Sequence, residues 1–208
     1  MRLSRLIPVT AAAVLATVPA HAQQWGGPLF SSPLEQSRFE ILSSDANGAG
    51  QGLAVAVRPF AARADLRLRV GIMDGMGTGP FSQGTAGVAG RRAIAYMAGI
   101  DYAMPLNPQA GGPVRASLVT GLGVGVNAET VVSAPVGFSI AYDGGRIRPY
   151  MTPRVVLEHH SGPAPYVGPW EGRAVVDWGV DVSLPVGGTL RAALTTGSYK
   201  AFGIGVSF

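Results

Sequence analysis

The sequence predicts an all-β protein that folds as one closed, antiparallel, up-and-down barrel. Three observations support this prediction. Apolar residues alternate with other residues at a period of two, ten segments of strand length show the alternation, and the connectors between them differ systematically in length. A period of two puts successive side chains on opposite faces of a strand, whereas an amphipathic helix needs apolar residues three and four positions apart.

The alternating segments define the predicted strands. Most have the ~9–11 residues that a tilted strand needs to cross a bilayer. The ten strands are predicted at residues 36–43, 51–59, 63–72, 91–104, 113–126, 132–142, 146–158, 173–185, 189–196 and 199–208. Pro135, Pro149 and Pro153 fall inside two of these strands, and proline in a sheet is confined to edges or bulges. Bulged strands, or an eight-stranded barrel with an irregular region, are therefore the alternatives.

The connectors sort the strand ends into two groups. Short turns are predicted near residues 59–61, 143–145 and 186–188, with a medium turn at 106–112. The long connectors, residues 73–90 and 159–172, fall at the opposite ends of the strands. This asymmetry, an even strand number and termini on the short-turn side are typical of transmembrane barrels of bacterial outer membranes.

The first residues form a predicted signal peptide. Arg2 and Arg5 give a positive start, a mostly apolar run follows, and Ala20-His21-Ala22 provides small residues at the positions that signal peptidase reads. We therefore predict a signal peptide at residues 1–22 and a barrel domain at residues 23–208.

The composition favours apolar surroundings for the barrel. The chain is 47% hydrophobic and 13% charged, whereas an ordinary soluble domain has about 25% charged residues. No later apolar stretch reaches the ~18 residues of a membrane helix. A transmembrane antiparallel barrel in contact with membrane lipid satisfies both observations. The rival prediction is a soluble, lipocalin-like barrel with its apolar face inside.

Composition also excludes several kinds of partner. The chain has no cysteine, so neither disulfides nor cysteine-ligated metals are expected. Its formal net charge of +4 includes Arg2 and Arg5, and the remaining excess is too small to indicate nucleic acid. No cofactor or metal motif is present, and the sequence does not identify a small-molecule ligand.

The last strand carries a resemblance to a known class. Phe202, Ile204, Val206 and the terminal Phe208 share one face. This pattern resembles the C-terminal signature of bacterial outer-membrane barrels. The resemblance implies location in the cell outer membrane and recognition by the barrel-assembly machinery. It does not identify a closer family.

If the apolar face meets lipid, the charged residues of the strands face the lumen. Buried charges are strongly unfavourable unless they are paired, so a hydrogen-bonded network is expected. In particular, Asp177 and Asp181 should pair with arginines of neighbouring strands. An arginine-lined selective pore is the alternative. The predicted luminal network comprises Arg67, Arg69, Asp101, Arg115, Arg148, Arg154, Glu158, Arg173, Asp177, Asp181 and Arg191, and the same face carries Arg38, Glu40, Arg58 and Asp65.

One group of residues has catalytic character. His159 and Ser161 are two positions apart, and Glu171 follows them. A hydroxyl, an imidazole and a carboxylate are the groups that nucleophilic catalysis requires. The spacing of His159 and Ser161 resembles the His-x-Ser-Asn motif of the lipid A 3-O-deacylases, which implies catalytic roles for His159, Ser161 and Glu171. Gly162 stands where that family has asparagine.

Two classes of function follow from the sequence. The first is a non-enzymatic outer-membrane barrel with a structural, surface-contact or limited transport role. The second is a lipid-modifying hydrolase that uses His159 and Ser161. A polar strand end that leads into a solvated loop would explain the same residues without catalysis.

Overall fold

The structure is a computed structural model that describes residues 32, 34, 37–46, 50–59, 65–74, 94–106, 112–126, 130–161 and 170–208. The predicted signal peptide lies outside these residues, as does most of the two predicted long loops. Within the described residues, no helix is long and apolar enough to cross a membrane.

Ten antiparallel strands form a closed barrel in which each strand pairs with its neighbours in sequence and the last pairs with the first. The up-and-down barrel of ten strands is confirmed, and the eight-stranded alternative is wrong. The strands are β1 (Phe39–Ala46), β2 (Gly50–Val57), β3 (Leu66–Asp74), β4 (Ile94–Pro105), β5 (Val114–Val126), β6 (Thr130–Tyr142), β7 (Ile147–Ser161), β8 (Glu171–Ser183), β9 (Thr189–Gly197) and β10 (Ala201–Ser207).

The prolines interrupt hydrogen bonding without changing the register. Pairing between β5 and β6 stops after Thr120↔Val136 and resumes at Gly123↔Ser133 with no inserted residue. Pairing between β6 and β7 stops and resumes in the same way opposite Pro153. The expected bulges are therefore not needed there, because a proline only removes one donor from the ladder.

The outer face of the barrel is apolar. Side chains alternate between buried and exposed along every strand, and the exposed set contains most of the large hydrophobic residues. On β3, for example, Leu68, Val70 and Ile72 point outward, whereas Arg67 and Arg69 point into the lumen and are buried. The charged face of the strands is thus the inner face.

Two apolar clusters share the lumen with these charges. The cluster nearer the long-loop end contains Met73, Ala95, Val156, Val175, Tyr199 and Ala201. The other contains Leu42, Ala56, Ala141, Tyr150 and Ala193, and Leu34 from the segment before β1 packs against it.

Candidate functional site

A chain of ion pairs crosses the lumen, and Glu40 of β1 lies at its centre. One Glu40 oxygen accepts a hydrogen bond from Arg67 of β3 at 2.8 Å, and the other accepts one from Arg191 of β9 at 2.7 Å. Arg67 continues to Asp101 of β4 at 3.0 Å, and Arg191 continues to Asp181 of β8 at 2.7 Å. This chain of ion pairs therefore joins strands on both sides of the β1–β10 pairing.

Small residues on the intervening strands allow Glu40 to reach both arginines. On the β2 side, its cross-strand neighbour is Ala56. On the β10 side, Gly205 lies opposite Arg191, and a Cβ on Gly205 would be 2.6 Å from Leu42 Cδ2 and 3.5 Å from a Glu40 carboxylate oxygen. Glycine at position 205 thus leaves room for the side chains that cross the lumen.

A second group surrounds Asp177 of β8. Arg154 of β7 donates to both of its carboxylate oxygens, at 2.7 and 3.2 Å, and Thr195 of β9 donates to one of them at 2.6 Å. Arg154 also contacts the hydroxyl of Tyr199 at 2.9 Å. Arg69 of β3 donates a hydrogen bond to Asp101 at 3.3 Å and so joins the chain of ion pairs that is centred on Glu40.

A third group lies at the long-loop end of β7 and β8. Arg173 lies 3.0 Å from Glu158 and 3.1 Å from Glu171. Glu158 is fully buried, whereas the Glu171 side chain is 40% exposed. Glu171 therefore lies at the mouth of the lumen, and its carboxylate is held by an arginine.

The ion-paired side chains fill the lumen at their level. Apart from Glu171, each charged side chain in these pairs is at most 7% exposed. Residues that line an aqueous channel would be accessible to water. A barrel of this strand number is close to the size that side chains alone can fill.

The remaining predicted luminal residues lie at the short-turn end. Arg115 and Arg148 begin β5 and β7 on the inner face and are half-buried. Arg148 donates to the Thr189 hydroxyl at 3.3 Å. Arg58 and Asp65 are half-buried at the ends of strands, and Arg38 is exposed before β1.

The structure places the proposed catalytic residues on different faces. Ser161 is exposed on the outer face of β7, which His159 shares, and the His159 ring stacks on Trp170 with centroids 5.3 Å apart. Glu171 lies on the inner face and pairs with Arg173. The His159 Nδ1 atom has no hydrogen-bond partner among the described residues, so no described carboxylate holds this nitrogen.

Two luminal tyrosines were not predicted as part of the network. Tyr150 is buried and covers Gly179, where an added Cβ would lie 2.0 Å from the tyrosine Cζ. Tyr199 comes from the turn between β9 and β10 and lies against Arg154. Alternation places Tyr150 on the inner face, and Tyr199, the first residue of the strand predicted at 199–208, has the same inward parity as Gly203 and Gly205.

Comparison with known protein families and with curated proteins finds no match. Among the described residues, no group of histidine, aspartate and glutamate side chains is arranged to hold a metal ion.

Proposed function

We propose that this chain is a bacterial outer-membrane barrel with a closed lumen and a non-enzymatic, structural or surface-contact role. Its N-terminal 22 residues serve as a cleaved signal peptide, and its last strand is recognised by the barrel-assembly machinery. The observation that carries the proposal is the continuous apolar outer face.

The outer face is difficult to reconcile with water as the surrounding solvent. Soluble monomers rarely expose an apolar patch larger than a few hundred Å². Here every strand presents apolar side chains outward, whereas arginine and aspartate are buried inside. This is the reverse of the lipocalin-like arrangement, and it matches the lipid-facing band of transmembrane barrels.

Exposed aromatic residues lie near both ends of the strands. Tyr96 and Trp170 are at the long-loop end, and Phe39, Tyr142 and Phe208 are at the short-turn end. Aromatic girdles occupy the two membrane–water interfaces in transmembrane barrels. The positions of these residues support a membrane-spanning orientation along the barrel axis.

Cell fractionation tests the proposed location. The protein should sediment with outer membranes, resist extraction by alkaline carbonate and lack residues 1–22 by N-terminal sequencing. Recovery of the protein without residues 1–22 in the soluble periplasmic fraction would contradict the proposal. Removal of Phe208 should reduce the membrane-inserted fraction. Lys200→Ala, which changes the residue before the other end of the last strand, is the control.

The hydrolase remains a weaker proposal. Nucleophilic catalysis requires the carboxylate to orient the imidazole, whereas Glu171 is paired with Arg173 and His159 stacks on Trp170. Assay of Ser161→Ala membranes for loss of acyl chains from lipid A would test it. An unchanged lipid profile between wild type and variant is the expected result.

A further inference from the structure

The segment that precedes β1 enters the lumen at the short-turn end. Ser32 is only 4% exposed, and Leu34 packs against the inner apolar cluster that contains Leu42 and Tyr150. Leu42 lies on the inner face of β1 itself. Residues from before and after the start of β1 therefore meet in one cluster, so the chain folds back into the barrel ahead of its first strand.

The barrel wall holds the base of this segment. The Arg58 guanidinium donates a hydrogen bond to the Ser37 carbonyl, and the Arg38 amide donates one to the Phe208 carbonyl at 3.0 Å. Three residues of chain span at most ~10 Å, so the Cα atom of Leu34 lies within that distance of the Ser37 Cα atom. The segment thus remains close to the opening of the lumen at the short-turn end.

The inner end of the segment is held less firmly than its base. Ser32 Oγ accepts a hydrogen bond from the Leu34 amide at 3.2 Å, which closes a local turn within the segment. Neither residue belongs to one of the ten strands. The described contact between this end and the wall is the apolar packing of Leu34, and its loss requires far less free energy than unfolding of the barrel.

The inner cluster has the form of a pocket for an apolar side chain. Its wall combines small and large residues, so a branched side chain fits between them: Leu42, Ala56, Ala141, Tyr150 and Ala193. The Tyr150 hydroxyl is buried and has no hydrogen-bond partner among the described residues. Water that enters an emptied pocket can pair with this hydroxyl, which lowers the free-energy cost of releasing Leu34.

We propose that the segment carrying Ser32 and Leu34 is a releasable plug, and that the pocket which Leu34 fills binds an apolar side chain of a peptide. In the inserted state, the chain's own leucine occupies this pocket. In the released state, the pocket is open to another peptide that carries a leucine. The proposal concerns the barrel itself and is tested in detergent, so its failure is distinguishable from failure of the proposed membrane location.

Thiol accessibility tests the inserted state, because the chain has no cysteine of its own. Ser32→Cys introduces a thiol of similar size to the serine hydroxyl, and Asp143→Cys places one on an exposed turn at the same end. A charged, water-soluble thiol reagent should modify Ser32→Cys at least about tenfold more slowly than Asp143→Cys in the refolded protein. Equal rates would place Ser32 outside the lumen and overturn the proposal.

Leu34→Ser in the Ser32→Cys protein tests release of the plug. The substitution removes the apolar side chain that fills the pocket, so modification of the thiol should become about tenfold faster. Val186→Ser is the matched control, because Val186 lies in a turn at the same end and is 92% exposed; the rate should not change. An unchanged rate in Leu34→Ser, or loss of the folded barrel, would show that Leu34 does not anchor a releasable plug.

A labelled synthetic peptide with the sequence of residues 31–37 tests the pocket. Fluorescence anisotropy should show about tenfold tighter binding to the Leu34→Ser protein than to the wild type, because the wild-type plug competes for the pocket. The same peptide carrying Leu34→Ser is the control and should bind neither protein measurably. Equal binding of the two peptides, or no binding of the leucine peptide to the Leu34→Ser protein, would overturn the pocket.

Discussion

Individual side chains in the lumen have partners that depend on strand register. Asp177 interacts with an arginine of one neighbouring strand and a threonine of the other, and both contacts require the observed alignment. Asp181 has an arginine directly opposite it on each neighbouring strand, Arg148 on β7 and Arg191 on β9, and it pairs with Arg191. Alternation predicts which side chains face inward, but not which of several arginines binds which carboxylate.

Asp177→Ala should destabilise the barrel strongly. It leaves the buried Arg154 guanidinium without a carboxylate, which costs ~3–5 kcal/mol in a dry site. Chemical unfolding of the refolded protein measures the change in free energy. Asp143→Ala, at an exposed turn residue, is the control and should change stability by less than about 0.5 kcal/mol. Equal effects of the two substitutions would contradict the paired, buried state of Asp177.

Gly179→Ala should also be destabilising, because its new Cβ would lie 2.0 Å from Tyr150 Cζ. Displacing a packed ring costs about 1–3 kcal/mol. Gly172→Ala on the same strand is the matched control, since its nearest neighbour would be Leu157 Cδ2 at 3.8 Å. Unfolding curves of the two variants should differ clearly, and a neutral Gly179→Ala would show that the ring is not fixed there.

At the level of strands, the sequence predicts the elements well and their pairing details poorly. All ten strands occur close to their predicted positions, because each has one apolar and one polar or small face. The prolines do not by themselves predict bulges, since the strands tolerate a missing donor without one. Contacts of Glu40 across β2 and β10 depend on Ala56 and Gly205 being small, and alternation alone does not reveal such contacts.

The pairing of β1 with β10 should depend on Glu40. This residue connects Arg67 on one side of that pairing with Arg191 on the other, so Glu40→Gln weakens both connections. Relative to the wild type, amide hydrogen exchange in this variant should accelerate more in β1 and β10 than in β5 and β6. Uniform acceleration around the barrel would contradict a local role for Glu40.

For the whole molecule, the packed lumen predicts low permeability. Ion-paired side chains block the cross-section, and the apolar cluster near the long-loop end adds a second packed layer. Planar-bilayer recordings of the refolded wild type should therefore lack the steady conductance of an open pore. A stable ohmic conductance at neutral pH would contradict the closed lumen and support the arginine-lined pore.

The central claim is that the apolar outer face contacts lipid, and Trp178 provides the most direct test. Its side chain is 51% exposed on the outer face of β8, well inside both strand ends, and its indole donates to Thr196. Trp25→Phe and Trp170→Phe together leave Trp178 as the single tryptophan, and excitation at its absorption edge avoids the tyrosines. In vesicles of lipids brominated on the acyl chains, its fluorescence should be strongly quenched, and aqueous iodide should have little effect. Quenching by iodide without quenching by bromolipids would contradict the membrane-spanning barrel.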